Sequence, residues 1–299
     1  MANNNIISSN NTNLTENTNI ALYCDFENIA LGVRDAKYKT FDITKVLERI
    51  LLKGSIVVKK AYCDWDRYKE FKNIMHEAAF ELIEIPHMRQ SGKNSADIRM
   101  VVDALDLCYT KSHVDTFVII SGDSDFSPLV SKLRENNKVV IGIGVKDSTS
   151  NLLRGNCDEF IFYDDLVREQ KIKRKAVPVS KKSSTSTSTK DTTAHAKRQE
   201  ALDLIVETLQ GLVEERGDED KIWGSLVKQT MKRRHPGFNE ASYGYRSFRA
   251  LVEDAQKLGL LIMNREEKTG QYTIRLIADS ESDTTATDAT DDNDETTTE

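Results

Sequence analysis

At 299 residues, with a hydrophobic fraction of 38% and a formal net charge of −6, the chain has room for more than one domain but is too polar to be one compact body throughout. No apolar run reaches the length of a membrane span. The four cysteines (Cys24, Cys63, Cys108, Cys157) are scattered without a CxxC pair, which speaks against a zinc site or a disulfide framework and for a reducing cytoplasm.

The negative charge is local. Residues 278–299 carry nine acids and no base, and removing those nine from −6 leaves a body of +3. The N-terminal Met1–Asn19 is rich in Asn and Thr and lacks the layout of a signal peptide. It reads as a disordered tail.

Ile20–Asp25 reads as a buried strand that ends in a carboxylate, with Asn28 close behind in D-F-E-N. Asp42–Lys53 has helical spacing at Ile43, Val46, Leu47 and Ile50. Ile56–Asp64 is a second strand ending in an acid, Tyr68–Phe80 a helix and Leu82–Pro86 a third strand. The loop His87–Asn94 is polar and basic, with Arg89 and Lys93. Ser95 then opens a helix with Ile98, Val101, Val102 and Leu105 on one face. Asp97 lies in its first turn. Asp103 is six residues on, about 120° away around the axis, so the two cannot both face one small ion. Asp103 is expected to face solvent or to support the site from behind.

Thr116–Ser121 is the fourth strand, and S-G-D-S-D-F follows it with Ser121, Asp123 and Asp125. A helix from Pro128 to Glu135 and strands at Lys138–Val145 and Glu159–Tyr163 complete an α/β pattern, which implies a mostly parallel sheet with helices on both faces. Ligands of such sheets bind beyond the carboxyl ends of the strands, at the point where strand order reverses. If the first and fourth strands are neighbours, Asp25 and Asp123 face each other there. A carboxylate cluster without Cys or His suits Mg²⁺ or Mn²⁺ rather than Zn²⁺. Such ions activate water and stabilise a leaving oxygen in phosphodiester hydrolysis. The plain alternative is a polar turn with Asp as a helix cap. For Asn28 it is a turn residue.

Lys171–Arg198 carries nine Lys/Arg against the single acid Asp191 and includes the Ser/Thr run 183–189. It reads as a flexible basic linker. Beyond it, Leu202, Ile205, Val206, Leu209 and Leu212 mark an amphipathic helix. Trp223–Arg234 and Tyr245–Leu258 are two more, and Leu260–Asn264 with Tyr272–Ile277 forms a hairpin. Three helices and a hairpin suggest a small winged helix-turn-helix domain. Trp223, Phe238, Tyr243 and Phe248 read as core rather than as stacking platforms for bases. Lys228, Lys232, Arg233 and Arg234 are surface charges that could meet phosphate, or simply cations at a helix end.

Y-C-D-F-E-N at 23–28, S-A-D-I-R-M-V-V-D-A-L at 95–105 and S-G-D-S-D-F at 121–126 together resemble the three signatures of NYN domains. These are PIN-like nucleases, and the LabA-like bacterial branch is the nearest in pattern. The resemblance covers roughly Ile20 to Arg168. It implies a Mg²⁺- or Mn²⁺-dependent ribonuclease with Asp25, Asp97 and Asp123 as the metal-holding acids, Asp125 and Asn28 in the same motifs, and Asp64 at the rim. I-W-G-S-L-V-K at 222–228 and H-P-G-F-N-E-A-S-Y-G-Y-R-S-F at 235–248 resemble an OST-HTH (LOTUS) domain. That resemblance implies an RNA-binding module that can also take a protein partner.

The domain expectation is therefore a tail over 1–19, an NYN domain over 20–168, a linker over 169–197, an OST-HTH domain over 198–278 and an acidic tail over 279–299. Two rival readings stand beside the ribonuclease. One is an RNA-binding regulator of the LabA-like type that turns over poorly. The other is a HAD-type phosphatase, which wants Asp rather than Glu at position 27 and a lysine motif before Ser121, and has neither.

Overall fold

The computed structural model describes residues 18–85, 95–168, 189–217, 221–266 and 271–277. Six strands form one parallel sheet: β1 (Asn19–Asp25), β2 (Ser55–Cys63), β3 (Glu81–Glu84), β4 (Thr116–Ile120), β5 (Val139–Gly144) and β6 (Glu159–Phe162). Their order is β3-β2-β1-β4-β5-β6. The chain builds outward from β1 to β3, then returns to lay β4 against the other side of β1. The order reverses between these two strands, which opens a crevice at their carboxyl ends. In register, Cys24 stands opposite Ile120, so Asp25 and Ser121 leave the sheet side by side.

The alternation of β1 sorts the core. Ile20, Leu22 and Cys24 face α1 (Phe26–Asp35), α2 (Ile43–Lys53), α3 (Lys69–Glu77) and a helix over 163–168, α7. Ala21 and Tyr23 face α4 (Ser95–Thr110), α5 (Ser127–Glu135) and α6 (Asn151–Asn156). All five residues of β4 are buried, as a strand covered on both faces requires. This is the fold class that the sequence pattern implies.

The C-terminal part has its own core, built around Leu202, Ile205, Leu209, Leu226, Met231, Leu251 and Ile274. Its elements are α8 (Thr189–Arg216), α9 (Gly224–Arg234), a 3₁₀ turn (Glu240–Tyr243), α10 (Phe248–Lys257) and the antiparallel pair β7 (Leu261–Arg265) and β8 (Tyr272–Leu276). Trp223 bridges to Thr273 ahead of α9. The two parts meet where α8 approaches α2. Leu52 packs against Gly211, and Glu215 takes Arg49 at 3.1 Å and also Lys53, which in turn reaches Glu159 at 2.8 Å. Among the described residues no helix is long and apolar enough to cross a membrane.

Three elements depart from the sequence reading. The segment after Asp25 is a ten-residue helix rather than a turn. Phe26, Ile29 and Val33 are its buried positions, and the helical spacing is visible once Asp25 is taken as the cap. α8 begins at Thr189, so residues 189–197, which composition assigns to the linker, are helical. Ala194, Ala196 and Lys197 in that stretch are good helix formers and prolong the helix beyond its apolar stripe. α10 begins at Phe248, not Tyr245, because Gly244 takes φ 84° and Ser247 caps the helix through Ala250 N–H. The expectations for residues 1–17, 169–188 and 278–299 fall outside the described residues.

Candidate acid site at the strand-order reversal

Asp25 sits where β1 becomes α1 and is only 7% exposed. One carboxylate oxygen accepts the Asn28 backbone N–H at 3.3 Å, and the other accepts the Ser121 hydroxyl at 3.0 Å across the crevice. The Asn28 side-chain oxygen accepts the Gly122 N–H at 2.9 Å. The start of α1 and the end of β4 are thus laced together by Asp25, Asn28 and Ser121, and Asn28 is a fixed clamp rather than a free turn residue. Gly122 must be glycine. A Cβ there would lie 2.5 Å from the Ser148 carbonyl oxygen, which is backbone and cannot give way.

Asp123 and Asp125 follow on the same loop. The Asp123 N–H donates to Ser121 Oγ at 3.2 Å, and the Asp123 carboxylate accepts the Asp125 N–H at 3.0 Å. Asp123 therefore does cap a 3₁₀ turn. That occupies one of its oxygens with an amide, not with a cation.

Asp97 enters from the first turn of α4. The acids of the crevice act on one another. Burial pushes the Asp25 carboxyl up to about 7, with the charges of Asp97 and Asp123 adding to it and the Ser121 and Asn28 bonds opposing it. Burial pushes Asp97 to about 6, helped by Asp123, Asp125 and Glu27. Glu27 is a member of this group that sequence reasoning did not single out. It lies two residues after Asp25 in the first turn of α1, and its partner is Arg67 at 3.1 Å.

The remaining acids fall elsewhere. Asp103 does not face solvent. Its side chain is 12% exposed and bonded by the Tyr62 hydroxyl at 2.8 Å, Arg99 at 3.1 Å and Lys60 at 3.4 Å. It anchors α4 to the sheet, with its charge already balanced. Asp64 caps the turn after β2 by accepting the Asp66 N–H at 3.1 Å. Arg89 and Lys93 lie outside the described residues.

The donors fit a hard divalent ion in kind: they are all carboxylate oxygens, and neighbouring acids raise Asp25 and Asp97, an effect that a cation offsets. They do not form a ready cage. Among the described residues, no three His, Cys, Asp or Glu side chains converge as metal ligands. In the C-terminal part, Arg234 is paired with Glu207 at 2.6 Å and its side chain is 8% exposed. Arg233 donates to Thr230 at 3.1 Å, and Lys228 pairs with Glu240 at 2.9 Å. Of the run 232–234, Lys232 alone is exposed.

Residues 19–164 match the NYN domain. An uncharacterised protein of Methanocaldococcus jannaschii, MJ0482, is 27% identical over 120 residues, which is 40% of this chain and 47% of that protein. The chain thus spans about half the length of that relative. A Vibrio parahaemolyticus protein of unknown function, VPA0982, superposes with a TM-score of 0.45 and 28% identity, covering 50% of this chain and 96% of that one.

Proposed function

We propose that the NYN domain over residues 19–164 is a ribonuclease that hydrolyses single-stranded RNA with Mg²⁺ or Mn²⁺ held by Asp25, Asp97 and Asp123. The observation that carries this reading is the uncompensated charge of the crevice. Burial raises Asp25 to about 7, with Asp97 and Asp123 adding to it, and raises Asp97 to about 6, with Asp123, Asp125 and Glu27 adding to it, at the strand-order reversal where a parallel sheet offers a ligand crevice. Buried acids that repel one another cost stability, and a bound divalent cation offsets that cost. When bound, the ion supplies charge at the scissile phosphate and a more acidic water.

The chain's own residues do the rest. Ser121 and the Asn28 N–H hold the Asp25 carboxylate in one orientation. The Asn28 side chain fixes Gly122 and so the loop that carries Asp123. Asp125, exposed on the same loop, is read as the acceptor of a proton from water at the edge of the crevice. The C-terminal part is read as a winged helix of the OST-HTH type that holds the RNA, and the whole as a cytoplasmic protein.

The test is cleavage of an end-labelled single-stranded RNA by the purified chain. Cleavage is expected with Mn²⁺ and none with EDTA. RNA binding without Mn²⁺-dependent cleavage would instead support the regulatory reading.

A further inference from the structure

We infer that the C-terminal part holds a stacking pocket for an unpaired nucleotide of RNA, set between the starts of α9 and α10 and beside β8. The inference rests on the reading that the chain acts on RNA, and moves the contact away from the basic run at the end of α9. The pocket is a half-open groove of about 400 Å³, and its lining includes Trp223, Lys228, Phe248, Arg249, Gln271 and Tyr272. That volume suits one base with its sugar.

The lining has the composition that single-stranded nucleic acid needs: aromatic faces for bases and cations for the backbone. Phe248 is buried, while Trp223 and Tyr272 are only half-buried, so the last two keep surface free for a ligand. Core packing accounts for Phe248 but not for all of Trp223. Gly224 lets the Tyr272 ring lie directly on the start of α9, since a Cβ there would stand 2.2 Å from Tyr272 Cε2.

One of the two charges is exchangeable. Arg249 pairs with Glu253 at 2.8 Å with both side chains exposed, at 52% and 42%, and such a surface pair contributes little, so a phosphate can draw Arg249 away. Lys228 stays where Glu240, only 14% exposed, holds it at 2.9 Å, and adds positive charge to the pocket from there. Trp223 precedes α9 and offers it no side-chain cap, which leaves the first amides of that helix to add to the attraction for an anion. Base stacking on a ring is tolerant of sequence, so the pocket holds RNA without selecting it.

Trp223 is also the reporter. The chain has two tryptophans, and Trp65 is sealed in the first core at 1% exposure. The experiment titrates a six-adenosine RNA into the full chain in EDTA, where metal-dependent cleavage is silent, and follows tryptophan emission. Saturable quenching is expected, lost in Trp223→Phe. Trp223→Ala is expected to weaken binding by roughly 5- to 150-fold, as stacking energies convert. Arg249→Gln, on an exposed side chain that does not support the core, is expected to lower the salt slope by about 0.7. Gly224→Ala keeps every lining side chain yet pushes Tyr272 aside, and should also weaken binding.

Two results overturn the proposal: RNA that binds without changing the emission, or an affinity and salt slope that neither Trp223→Ala nor Arg249→Gln alters. An emission change produced by a peptide but not by RNA likewise overturns it in favour of a protein partner. Failure of Mn²⁺-dependent cleavage with quenching intact counts against the nuclease and leaves the pocket standing.

Discussion

Asp123→Asn is expected to lower the rate of RNA cleavage by roughly 10²- to 10⁴-fold while leaving the fold intact. The substitution keeps the oxygen that accepts the Asp125 N–H at 3.0 Å, so the 3₁₀ turn survives. It removes a negative charge from the crevice, and with it part of the attraction for the cation. Metal ions supply several kcal/mol of charge stabilisation in such hydrolyses, and each 1.36 kcal/mol is tenfold in rate. Asp103→Asn is the contrasting change. Asp103 is held by Tyr62, Lys60 and Arg99, so its loss weakens the seat of α4 and lowers thermal stability more than it lowers the rate. Single-turnover rates and melting curves on both variants check the pair. Equal rates for Asp123→Asn and wild type, in preparations free of contaminating nuclease, remove Asp123 from the mechanism.

Asp25→Asn is expected to inactivate the protein and, without metal at pH 8, to make it more stable. The Asp25 carboxyl lies at about 7 in the folded chain against an ordinary 3.8, so the folded state binds this proton more tightly than the unfolded state does. The stability tied to that proton is full below about pH 4 and is lost as pH rises through about 7. At pH 8 the wild type carries a buried charge it would rather lose, and the neutral amide does not. The distance from 3.8 to about 7 bounds the gain at roughly 4 kcal/mol. Coupling to Asp97 and Asp123 shares part of it, and a gain of about 2 kcal/mol corresponds to a rise of ~4–8 °C in Tm. Melting from pH 5 to 8 is the measurement. The metal-free wild type should lose stability toward pH 8, and Asp25→Asn should lose less. Added Mn²⁺ should restore the wild type alone. A wild-type melting temperature that climbs from pH 6 to 8 without metal contradicts the account.

Much of the crevice was legible because its signals are local. Strands that run apolar and stop at an acid, as Ile20–Asp25 does, declare both burial and direction. Alternation with helices then makes the sheet parallel and sends the acids to one edge. Adjacency of β1 and β4 is a long-range fact that spacing leaves conditional, and the pairing of Cys24 with Ile120 settles it. The clamp role of Asn28 depends on Gly122, 94 residues away, and no periodicity announces such a bond. Glu27 hid for a related reason: its effect on Asp97 runs across the crevice from α1 to α4. Asp103 shows the converse. Tyr62 and Lys60 reach it from β2, and so a residue that helical spacing sends to solvent or behind the site is tied to the sheet. In the C-terminal part, a basic run looks like a phosphate site in one dimension, and Glu207 on α8 takes Arg234 out of it.

The most direct measurement of the central claim is the anomalous scattering of manganese in crystals of the full chain grown above pH 7 and soaked in MnCl₂. The account predicts a peak within coordination distance of Asp25, Asp97 and Asp123, with Asp97 drawn toward the other two, and its loss in crystals of Asp123→Asn. A protein that cleaves RNA in Mn²⁺ yet shows manganese elsewhere, or none in the crevice at millimolar concentration, would contradict it.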